Sequence, residues 1–191
     1  MTINWEPGIG DPTQIGWFTV FAYFVTAILC YRAAMTANAR SIDIRTAANL
    51  EQYFWFAASI SLILFGINKQ LDLQSLFTEV ARVIAKLQGW YDNRRIYQLF
   101  FIEGLGIVAL AVGVGILWLL RKTDARVQIA LFGFFCLGAF VVLRAASLHH
   151  VDHFLGDKIL GWRWNSILEL SGIGVVAIAC LTYLRKFHPQ H

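Results

Sequence analysis

Val127–Asp157, VQIALFGFFCLGAFVVLRAASLHHVDHFLGD, passes from a long apolar run into three histidines and two aspartates. Roughly 20 apolar residues are what a helix needs to cross about 30 Å of hydrocarbon. The stretch therefore predicts a membrane span from Val127 to His150 that breaks into ionisable groups at one face. Working outward, four further runs of this kind occur, so the expected fold is all-α, a polytopic membrane bundle of five transmembrane helices in one domain covering 1–191. Composition agrees. The 191 residues are 58% hydrophobic and 15% charged, with a mean hydropathy of +0.57, whereas soluble domains run near 45–50% apolar and about 25% charged.

Toward the N-terminus, the RKTDAR turn precedes this span, and span 3 is expected from Tyr97 to Leu120. Its Gly104, Gly106, Gly113 and Gly115 suit close helix packing. Span 2 is expected from Gln52 to Ile67, running into NKQLDLQ (68–74). Leu73, Leu76, Phe77, Val80, Val83, Ile84 and Leu87 then recur at helical spacing opposite Gln74, Thr78, Glu79, Arg82 and Lys86. That pattern predicts one amphipathic interfacial helix, closed by Gly89 with Trp90 and Tyr91 at headgroup depth. Span 1 is expected from Thr13 to Met35, with Asp11, Pro12 and Gln14 at N-cap, N1 and N3, and Arg32–Glu51 as a polar connection. Span 5 starts at an Asn165 cap and ends at Arg185 and Lys186.

Each side of such a bundle carries eight of the 16 Lys and Arg residues. The base-free tail before Arg32 then decides the orientation: N-terminus outside, C-terminus in the cytoplasm of a bacterial inner membrane. The net charge of +4 is spread over helix ends, which fits topology and gives no footing for nucleic acid. Cys30, Cys136 and Cys180 sit inside apolar runs with no CxxC, and read as small buried hydrophobes.

Alternation of spans brings Asp11, NKQLDLQ, Glu103, HHVDH and Glu169 to one face, while the other face reads as ordinary basic turns. His149 and His153 are four apart and Asp152 is three from His149, so the three share a helical face. Imidazole and carboxylate at that spacing suit a divalent metal such as zinc. His150 points toward another helix, for which that of Asp72 is the expected candidate, with Asn68 and Gln74 placed to support Asp72. In this reading Glu103, Glu169 or Asp72 supplies a base toward bound water, and Arg144 neutralises Glu103 or Glu169. The blander alternative is that the histidines are interfacial polar residues and the acids structural.

Three function classes stay open. One is metal-assisted hydrolysis or transfer on a lipid-like substrate drawn from the bilayer. A second is a small non-catalytic subunit packing in a larger membrane complex. Proton or cation movement ranks last, because the acids gather at one end and leave the other half without a relay. Haem is disfavoured, since His188 and His191 lie beyond the opposite end from the other three histidines. A retinal imine needs a buried lysine, and the only candidate, Lys69, is terminal.

GDPT before span 1, GINKQLDLQ after span 2 and SLHHVDHF after span 4 together resemble a set found in uncharacterised bacterial multi-span inner-membrane proteins. The resemblance covers nearly the whole chain and implies a fold and a membrane but no activity. The use of His, Asp and Ser at one face is similar in kind to alkaline-ceramidase-like intramembrane hydrolases. Those have seven spans and zinc ligands from separate helices, whereas here the HxxxH pair lies on one.

Overall fold

A computed structural model describes residues 11–40, 47–71, 79–80, 83–84, 86–89, 94–145, 158–159 and 162–187. The architecture is helical, with five long helices: α1 (Gln14–Arg40), α2 (Ala47–Leu71), α3 (Arg94–Leu120), α4 (Ala125–Ala145) and α5 (Trp164–Phe187). The described strands are a two-residue antiparallel pair, β1 (Lys158–Ile159) on β2 (Trp162–Arg163), with Lys158 opposite Arg163. Among the described residues, three helical stretches are long and apolar enough to cross a membrane: Gln14–Arg40, Ala47–Leu71 and Ser166–Phe187. Gly106–Leu120 and Ala125–Phe140 are shorter apolar stretches.

Helix α1 is the centre of the bundle, packing on both α2 and α5, while α4 packs on α5 and α3 rests on α4. The reason lies in its small residues. Ala27, Cys30, Ala33, Ala34 and Ala37 are buried at three- and four-residue spacing, so two helices can close on one stripe. Ser59 of α2 donates across that seam to the Ala27 carbonyl at 2.9 Å. Trp55, Tyr23, Tyr183, Leu62 and Val176 fill the space between, all nearly solvent-free. The outward faces carry Trp17, Phe21, Ile28, Tyr53, Leu64 and Ile178. An apolar exterior of that extent fits lipid rather than water.

The helix ends depart from the sequence expectation. The N-cap of α1 is Thr13, whose Oγ1 accepts from Gly16 N at 3.1 Å and whose carbonyl accepts from Trp17 N. Asp11 instead steadies Thr13, accepting from its amide and, at 2.6 Å, from its hydroxyl. Helix α1 runs past Met35 to Arg40, α2 starts at Ala47 rather than Gln52, and α5 begins before Asn165. Hydropathy falls at the end of α1 and the start of α2, but Arg40 and Glu51, which help to lower it, pair with each other inside the fold.

Of the four α3 glycines, Gly104, Gly106 and Gly115 face open space, and Gly113 alone is covered, by the Phe135 ring. Close approach also occurs between α4 and α5. A Cβ on Gly172 would fall 2.8 Å from the Leu137 side chain, and one on Gly133 would fall 2.8 Å from Val176, so α4 and α5 meet at these two positions. Within the expected amphipathic segment, Glu79, Val80, Val83, Ile84, Lys86 and Leu87 are helical. Gln88 N donates to Ile84 O, and Gly89 leaves the helix at φ +73°, a conformation that glycine adopts without Cβ strain.

Candidate functional site

The end of the bundle formed by the start of α1, the end of α2 and the start of α5 holds a buried ionic cluster. Lys69 is brought inward because its helix continues four residues beyond the apolar run that ends at Ile67. Its Nζ lies 2.6 Å from Glu169 Oε2 and 3.6 Å from Asp11 Oδ2. The Tyr23 hydroxyl donates to the other Glu169 oxygen at 3.0 Å. Glu169 is 4% exposed and Lys69 5%. A charge so placed is costly unless compensated, and here each group compensates the other. Burial would raise the Asp11 carboxyl, but hydrogen bonds from Thr13 and the Lys69 charge outweigh it and hold Asp11 below the usual carboxylate range. Beside Lys69, the Gln70 amide nitrogen and oxygen are buried without a partner among the described residues.

The opposite end holds a second cluster where ordinary basic turns were expected. Glu51 is 3% exposed and accepts from Tyr183 Oη at 2.7 Å, Arg40 Nη1 at 3.0 Å and the Asp124 backbone N–H at 2.9 Å. Arg40 also donates to Tyr183 Oη, at 2.9 Å, and stands 3.5 Å from the centroid of the Phe187 ring. Asp124 in turn pairs with Lys186 and Arg126. Burial would raise its carboxyl, but hydrogen bonds from Lys186 and Arg126 bring it below the usual range. One carboxylate thus ties α1, α5 and the turn between α3 and α4 to α2.

The expected site residues divide accordingly. Asp11, the end of α2 and the start of α5 do meet at one end, where Glu169 pairs with Lys69. Lys69, dismissed as terminal, is the buried centre of that cluster. Glu103 is exposed on α3 and takes no part in it; α3 rests on α4 alone among its more extensive contacts. Asn68 is half-buried on the last turn of α2. Asp72, Gln74, His149, His150, Asp152 and His153 lie outside the described residues, as does the Arg144 side chain, though the Arg144 backbone is in the last turn of α4. Among the described residues no group of three or more His, Cys, Asp and Glu is placed to hold a metal. Cys136 is exposed, whereas Cys30 and Cys180 are buried against each other across the α1–α5 seam.

Sequence reasoning missed the Glu51 cluster. The one available signal was an acid and an arginine flanking a short connection, which also describes any solvated turn. No protein-family model, curated protein or solved structure matches the chain.

Proposed function

We propose that the chain is a bacterial inner-membrane protein that crosses five times and works at the end where Asp11, Lys69 and Glu169 meet. The carrying observation is the buried Lys69–Glu169 pair, because intramembrane charges are expensive and characteristically mark functional sites. Helices α3 and α4, with 27 and 21 residues, extend about 40 and 31 Å at 1.5 Å per residue. Those lengths support spans 3 and 4 alongside the three apolar helices.

The chemistry proposed for this end comes from the sequence that adjoins it. Asp72 follows the last residue of α2, and 146–157 connect α4 to the strand pair before α5. His149, His153 and Asp152, with His150, are the proposed ligands of a divalent metal such as zinc. Bound there, the metal would supply Lewis-acid activation of water for hydrolysis or transfer on a lipid-like substrate. Both oxygens of Glu169 are engaged, so its part is to hold Lys69 in place; Asp72 is the better base. Metal analysis of the purified protein tests this. The expected result is about one divalent ion per chain, lost in a His149→Ala/His153→Ala variant. Metal-free wild-type protein after purification in zinc-supplemented buffer would refute it.

A second reading, a small subunit of a larger membrane complex, is favoured by α3. Its Phe100, Ile107, Val108, Leu110, Val112, Val114, Leu117 and Trp118 are all exposed, an unusually bare helix that also carries the exposed Glu103. Under that reading a fixed partner co-purifies in constant ratio, and the His149→Ala/His153→Ala variant retains it.

Orientation is proposed as N-terminus outside, on the base-free tail and the basic turn at 121–126. Reporters fused after His191 and inserted in that turn should both read cytoplasmic, and one at 157–162 periplasmic. The reverse pattern would invert the assignment.

A further inference from the structure

We propose that the α1–α2–α5 core is a proton relay joining the Lys69–Glu169 cluster at one end to the Arg40–Glu51–Tyr183 cluster at the other. The inference is independent of any metal chemistry. The objection to proton movement was that one half of the bundle lacked a relay, and the Glu51 cluster supplies that half.

The two ends are built alike. Each has a buried carboxylate, a buried tyrosine hydroxyl donating to it, and a partly exposed charged residue facing outward: Asp11, with a side chain 25% exposed, and Arg40, at 29%. Each also has a device that tolerates protonation of its acid. When Glu169 takes a proton, Lys69 keeps Asp11 as counter-charge at 3.6 Å. When Glu51 does, Arg40 keeps the Phe187 face. Between Tyr23 and Arg40, about 25 Å apart along α1 at 1.5 Å per residue, the core is not purely apolar. Thr26, Ser59, Cys30, Cys180 and Trp55 lie at the intervening levels, all buried.

Trp55 provides the independent observation. It is fully buried with its ring 5.2 Å from that of Tyr183, and its Nε1–H has no acceptor among the described residues. A buried N–H of this kind is ordinarily satisfied by a bound water. A water at that level is the carrier that a hydroxyl relay requires next to Tyr183. In each step a carboxylate or hydroxyl oxygen, a water oxygen or a thiol sulfur gains one proton and releases another, so O–H and S–H bonds are made and broken in equal number and the net result is one proton carried across.

The test uses full-length protein in phosphatidylcholine–phosphatidylglycerol vesicles loaded with a pH-sensitive dye, with valinomycin and a potassium gradient setting the potential. Wild-type vesicles should change internal pH faster than protein-free ones, and the flux should be lost in Glu169→Gln and in Glu51→Gln. Should either of those fail to fold, Tyr183→Phe, which removes one hydroxyl, decides: its flux should fall while its size-exclusion profile matches wild type. A wild-type rate equal to that of protein-free vesicles would overturn the proposal, as would undiminished flux in folded Glu51→Gln or Tyr183→Phe.

Discussion

Replacing Glu51 by alanine is expected to lower the unfolding free energy by about 3 kcal/mol, the lower end of the range for breaking a buried ion pair. The loss is large because one side chain serves three donors on three elements: Arg40 on α1, Tyr183 on α5 and the Asp124 amide in the turn before α4. Without it, Tyr183 Oη and the Asp124 N–H lose an acceptor in a site with little water. Arg40, 29% exposed on its side chain, recovers part of its hydration, which keeps the effect from the top of the range. Glu51→Gln should cost less, because its amide oxygen still accepts from one of the three. Denaturation in mixed micelles, followed by far-ultraviolet circular dichroism, measures this. A loss for Glu51→Ala below about 1 kcal/mol, the scale of exposed pairs, would mean that the cluster is solvated.

Lys69→Met is the second large effect, expected at about 3–5 kcal/mol. Methionine fills the volume, so the loss reports charge and not a cavity. Glu169 would be left buried with the Tyr23 hydroxyl as its remaining partner among the described residues, so that it must carry an uncompensated charge or take up a proton, and Asp11 would lose its cation. The same denaturation experiment applies. A variant as stable as wild type would show that water already reaches Glu169.

Much of this arrangement was readable in advance, because apolar run length and alternation of spans are local properties. They predicted the five helices and the meeting of Asp11, the end of α2 and Glu169 at one end. Partner choice is not local. Lys69 read as a terminal lysine because hydropathy places the span boundary at Ile67, while its true position depends on Glu169, 100 residues away. Glu51 and Arg40 read as connection residues for the same reason: the partner they share is Tyr183, on α5. The α3 glycines show the converse limit. A glycine-rich helix advertises close packing, but only the fold decides which face receives a neighbour: on α3 that is Gly113 alone of the four, while Gly133 and Gly172 make the α4–α5 contact. Helix ends failed where a polar residue was counted as solvent-seeking although it had a partner, as with Arg40, or where the cap fell two positions past the expected residue, as with Thr13 in place of Asp11.

The central claim is that buried opposite charges, and not hydrophobic burial alone, tie α2 to α5 at the proposed working end. The most direct measurement is the coupling free energy between Lys69 and Glu169, from a cycle of Lys69→Met, Glu169→Gln and the double variant in the same micelles. Strong coupling is predicted, with the double variant more stable than Lys69→Met alone because the stranded carboxylate has gone. Additivity within about 0.5 kcal/mol would contradict it, since pairs without a shared interaction behave that way.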